Sequence, residues 1–171
     1  MKLDFLECGK ILAPHGVRGA MRIEVWCDSP AVAAALPRLY LRRGPEVYEG
    51  YRLISASVHK GGLLATLGGI TTPEEVGLLR GQILYASRAD LDPKGERVFL
   101  AETVGLPVRH ADTGALLGHV REVDTSRKTT LYVIDTEAGE VLLPAVPEFV
   151  KEIDIERGLT VCPIPGFFDE V

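Results

Sequence analysis

Asparagine is absent from this 171-residue chain, glutamine occurs once, as Gln82, and Arg outnumbers Lys by 13 to 6. Scarce thermolabile amides fit a hot habitat, although a GC-rich genome would leave the same bias. Cysteine is sparse as well. Cys8, Cys27 and Cys162 are odd in number and far apart in the sequence, which fits neither a disulfide framework nor a CxxC metal site. A reducing cytoplasm is the expected compartment. No apolar run approaches the roughly 18 residues of a membrane span. The opening MKLDFLECGK lacks the apolar stretch of a signal peptide, so neither a span nor export is expected.

Signatures of chemistry are missing too. There is no GxSxG elbow, no GxxxxGK[ST] and no GxGxxG opening a helix. His15, His59, His110 and His119 are scattered, without HxxxH or Cys/His pairing. These gaps lead to the expectation of no catalytic residue, no cofactor and no metal. A formal charge of −5 conceals an asymmetry: residues 1–90 hold 11 basic and 9 acidic side chains, residues 91–171 hold 8 and 15. The second half, at −7, repels nucleic acid and suits a basic protein partner. A solvated acidic face is the plainer alternative.

What is present reads as strands. Residues 3–12 and 19–26 are strand-like, and Met21, Ile23 and Val25 alternate with Arg22 and Glu24. Asp28-Ser29-Pro30 can cap a short Ala-rich helix that Pro37 ends. Further strands are expected over 39–43, 48–59, 63–67 and 82–86. Between the last two, Thr72 as N-cap, Pro73, Glu75 and Gly81 spell a capped helix of about two turns. The polar stretch ADLDPKGER, 89–97, is the expected linker between domains 1–88 and 98–171. Beyond it, short alternating runs every ten residues or so predict a small antiparallel barrel.

The segment with no obvious structural purpose is PHGVRG. It joins the first two strands, and its glycines permit positive φ or close backbone approach. An arginine there offers a fork of donors for phosphate oxygens or a plane for stacking on a base. An ordinary exposed turn is the competing reading.

GKILAPHGVRGAMRIEV, then TTPEEVGLLRGQILY, then VGLPVRHADTGALLGHVREV together resemble the RimM family of bacterial ribosome maturation factors. Matching motifs run from Glu7 to about Pro163 in the family's order. The resemblance implies an all-β chain: a six-stranded N-terminal barrel like the second domain of translational GTPase factors, joined to a C-terminal PRC-barrel. It further implies a non-catalytic factor that binds free, immature small ribosomal subunits and assists the head, or 3′ domain, of 16S rRNA to mature. The implied protein partner is the basic head protein numbered nineteenth in the small-subunit series. No membrane is involved, and a monomer is the default.

Carried onto this chain, the resemblance puts ribosome contact at His15, Gly16, Arg18 and Gly19. Family members often carry adjacent aromatics where this chain has Val98 and Phe99, and Asp where it has Glu102. Contact with the partner protein or packing at the domain boundary are both open for that pair. The proline-rich segment LLPAVPEFVKEID adds Pro144, Pro147 and Phe149 as partner-binding candidates, with Phe149 better suited to a core than to a contact. Two other readings compete: a generic barrel adaptor, and a subunit of an RNA-modifying enzyme suggested by the His/Arg loop.

Overall fold

The computed structural model describes residues 2–168. The chain divides into two compact units, Leu3–Gly95 and a second that begins at Glu96.

The first unit is a closed barrel. Strands β1 (Phe5–Pro14), β2 (Ala20–Val25), β3 (Arg38–Gly44), β4 (Val47–His59), β5 (Gly62–Leu67) and β6 (Ile83–Ser87) close in the order β1-β2-β5-β4-β3-β6. Every neighbour is antiparallel, and β1 seals the barrel against β6. The period-two pattern decides which side faces in: Met21 and Ile23 of β2, and Leu63, Ala65 and Leu67 of β5, are buried. Bulges between Ile11 and Ala13 and between Leu53 and Ser55 supply the bending that a small barrel needs. Burying each large aliphatic side chain contributes about 1.5–3 kcal/mol.

Helix α1 (Pro30–Ala34) starts where Ser29 Oγ accepts from Val32 N at 3.2 Å. Helix α2 (Pro73–Leu79) is built as its sequence grammar requires: Thr72 Oγ1 accepts from Glu75 N at 3.2 Å and donates to Glu75 Oε1 at 3.1 Å. Its fully buried Val76 belongs to the barrel core. After β6 the chain makes one further helical turn, α3 (Arg88–Leu91), where Arg88 Nε donates to Leu3 O at 2.9 Å and Nη1 lies 3.5 Å from the buried Asp92 carboxylate.

The second unit opens with a 3₁₀ turn at Leu100–Thr103 and continues through β7 (Pro107–His110), β8 (Leu116–Asp124), β9 (Leu131–Thr136), β10 (Gly139–Pro144), β11 (Val150–Asp154) and β12 (Gly158–Val161). These form a six-stranded sheet in the order β10-β9-β8-β7-β12-β11 around their own core of Val108, Val120, Tyr132, Ile134, Leu143, Leu159 and Val161. One pairing departs from the all-antiparallel expectation: β12 runs parallel to β7, with Leu159 opposite Val108 and Val161 opposite His110. No hairpin joins those strands, so no local turn dictates their relative direction.

Candidate functional site

The β1–β2 connection is a five-residue loop, closed by a hydrogen bond from His15 N to Ala20 O of 2.9 Å. Its two glycines serve different needs. Gly16 has φ +74° in open space, the left-handed conformation that turns the chain at the tip. Gly19 is buried, and a Cβ on it would lie 2.0 Å from the Ile70 carbonyl oxygen. Gly19 therefore lets the loop seat on the segment that leads into α2, and it serves any site by positioning rather than touching.

With both ends held, Val17 (89 % exposed) and Arg18 project from the barrel. Arg18 makes no hydrogen bond or ion pair among the described residues, so its five donors face solvent. His15 is also exposed, and its ring centroid lies 6.1 Å from that of His59 at the end of β4. The next residue, Lys60, occupies the left-handed region at φ 48° in the β4–β5 turn. The fold thus joins two connections into one surface carrying His15, Arg18, His59 and Lys60, with Arg22 exposed on β2. His59 and Lys60 are not among the candidates the sequence offers, because no local signal links them to the first loop. Such a surface offers cationic and hydrogen-bond donors with planar rings, suited to a phosphate backbone with accessible bases.

The partner-binding candidates lie in the second unit. Val98 and Phe99 are half-buried, and the Arg97 guanidinium sits 4.9 Å above the Phe99 ring. Phe99 N donates to Oε2 of the buried Glu102 at 3.0 Å, so the Glu102 carboxylate caps the 3₁₀ turn. Its neighbour Thr103 hydrogen-bonds Tyr132, whose phenol burial pushes above its ordinary pKa while that bond pulls it back.

Tyr132 links this turn to the proline-rich segment. It floors a shallow groove of about 480 Å³ walled by Ala145, Val146, Pro147, Val150 and Ile153, with Lys151 and Glu152 on its rim. Pro147 is exposed, and Pro144 is half-buried at the end of β10. Phe149 turns inward instead: it packs on the second core, with its ring 6.1 Å from that of Phe167. The wall residues Val146, Val150 and Ile153 lie within the proline-rich segment, but their spacing of four and three residues gives no local pattern that would single them out.

A closed β-barrel followed by a second six-stranded β unit, carrying an exposed basic loop and a shallow apolar groove, defines a two-domain all-β protein whose candidate sites are surfaces. Among the described residues no three His, Cys, Asp or Glu side chains gather in a way that could hold a metal ion, and no helix is long and apolar enough to cross a membrane.

The RimM N-terminal domain matches residues 6–91, and the RimM PRC barrel domain matches residues 101–168. The chain belongs to the RimM family. It is 37% identical to the ribosome maturation factor RimM of Symbiobacterium thermophilum, over 98% of this chain and 96% of that protein. It is 32% identical to the one from Nitratidesulfovibrio vulgaris, over 96% and 94%. Among solved structures it is similar to the N-terminal domain of RimM from Thermus thermophilus, with 24% identity, 53% of this chain and 98% of that chain covered, and a TM-score of 0.44.

Proposed function

We propose that this chain is a ribosome maturation factor that binds free, immature small ribosomal subunits and assists folding of the head domain of 16S rRNA, without catalysing a reaction. The observation that carries this reading is the relationship to ribosome maturation factors along nearly the whole of both chains, at 37% identity. Two surfaces then divide the work. His15 and Arg18, with Gly16 and Gly19 shaping their loop, contact rRNA in the particle. The groove at Pro147, flanked by Pro144, takes the basic head protein together with Val98 and Phe99, and Phe149 packs on the core of the same unit.

Charge favours this division, because residues 91–171 carry −7. Like-signed phosphates are repelled from that half, while a lysine- and arginine-rich protein is steered to it. The factor works in the cytoplasm as a monomer. Sedimentation of the tagged chain through a sucrose gradient tests the proposal. Accumulation with free small subunits and absence from translating ribosomes is expected; recovery only at the top of the gradient would leave an adaptor for some other partner as the better reading.

A further inference from the structure

Cys8 and Cys27, distant in the sequence, are neighbours in the barrel. Trp26 N and Cys27 N both donate to Cys8 O, at 2.8 and 3.3 Å, so two successive residues oppose one. That irregularity brings Cys27 over the inward face of β1. The Cys8 thiol donates to Cys27 Sγ at 3.4 Å, and all three cysteines are free. Their surroundings differ: Cys8 is only 3% exposed within the barrel core, whereas Cys27 is half-buried at its edge.

We propose that Cys8 and Cys27 form a redox-active dithiol in which Cys27 reacts with hydrogen peroxide and Cys8 resolves the product to an intramolecular disulfide. Contact between the sulfurs carries the inference. Closing 3.4 Å to the S–S length of about 2.05 Å asks for a movement of about 1.4 Å, within the reach of side-chain rotation. The accessible partner is also the more acidic one. The Cys8 thiol donating to it lowers the Cys27 pKa to about 7, against the opposing effects of burial and of Asp28. The same contact, with burial, pushes the Cys8 thiol up. Reactivity follows the thiolate, so the less buried sulfur, that of Cys27, attacks first.

The electrons balance in two steps. The Cys27 thiolate attacks one peroxide oxygen; an S–O bond forms, the O–O bond breaks, and the departing hydroxide takes a proton to become water. Cys27 is then a sulfenic acid, and the negative charge that held the Cys8 proton in place has gone. Cys8 loses that proton as its sulfur attacks Cys27; the S–S bond forms, the S–O bond breaks, and the hydroxide leaves with the released proton as a second water. Two thiols are oxidised by two electrons and one peroxide is reduced to two waters. The disulfide ties β1 to the segment that enters α1.

The test uses the full chain carrying Cys162→Ser, treated with hydrogen peroxide while folded, then denatured and alkylated with N-ethylmaleimide. Both remaining thiols are expected to vanish together, with a mass loss of two hydrogens and a mapped Cys8–Cys27 peptide link. With Cys8→Ala added, oxidation should stop at a Cys27 sulfenic acid that dimedone traps. Phenylarsine oxide, which bridges paired thiols, provides a measurement on the unsubstituted cysteine pair should that variant fail to fold: one equivalent should block alkylation of both. The proposal is overturned if both thiols still alkylate at a peroxide dose that oxidises Cys162 of the natural chain, or if the linked peptides come only from different molecules.

Discussion

Arg18 carries a charge that the protein does not use for its own folding. A buried or paired arginine would lose packing and ion-pair energy on truncation, but this one is exposed on a loop whose shape is set by backbone bonds and by Gly19. Arg18→Ala should therefore leave stability within about 0.5 kcal/mol of the parent. Affinity for small subunits should fall about ten- to a hundredfold, in line with loss of a charged hydrogen bond worth roughly 1.5–3 kcal/mol. Paired urea titrations and subunit-binding assays check this; unchanged affinity would reduce the loop to a turn. Gly19→Ala should lower stability as well as affinity. A methyl group 2.0 Å from the Ile70 carbonyl forces the loop or the α2 approach to move, at about 1–3 kcal/mol, and subunit binding should weaken in step with the displaced loop. Full stability in that variant would mean that the close approach is not needed.

Among the elements, α2 owes its start to one hydroxyl. Thr72→Ala removes the acceptor for Glu75 N and should cost about 0.5–2 kcal/mol, read as a lower urea midpoint with an unchanged slope. Subunit binding should fall only as far as folding does. The β11–β12 turn depends on a carboxylate instead. Arg157 N at 3.0 Å and Glu156 N at 2.7 Å both donate to Asp154 Oδ1, which holds its pKa below the ordinary carboxylate value. A group whose native pKa is depressed contributes stability above its unfolded pKa and loses that contribution as pH falls through the native one. The stability difference between the parent and Asp154→Ala should accordingly be largest near neutrality and shrink below about pH 4. A gap that widens in acid would contradict the turn's role. The exposed ladder in which Arg121 of β8 meets Asp135 of β9 at 3.1 Å and Glu140 of β10 is worth less, because solvent and salt screen it.

At the scale of the whole molecule, each unit has its own apolar core and its own candidate surface. The charge difference between the halves predicts how they choose partners. Association of the full chain with the basic head protein should slow as salt rises, since screening shortens the reach of the acidic half to about 8 Å at physiological ionic strength. Dissociation should depend instead on apolar contact, so Phe99→Ala should raise the off-rate more than it lowers the on-rate. Surface-plasmon measurements at several salt concentrations separate the two. Insensitivity to salt, together with tight binding of naked 16S rRNA through the acidic half, would reverse the assignment of the surfaces.

Much of this architecture is legible in one dimension because it is specified locally. Period-two alternation marks β2 and β5, Ser29-Pro30 and Thr72-Pro73 announce both capped helices, and the turn signals after residue 100 separate six strands. The family motifs add the PHGVRG loop. What the sequence left open are relations between residues far apart along the chain, which hydrophobic pattern and turn chemistry do not encode. Parallel pairing of β7 with β12, the approach of His59 to His15 and the contact of Cys27 with Cys8 all arise when the sheets close. Phe149 could have faced partner or core, and the packing of the second unit turned it inward. The sequence leaves positive φ and close backbone approach both open at Gly19, and only the tertiary structure reveals that the Ile70 carbonyl occupies the space where its side chain would be.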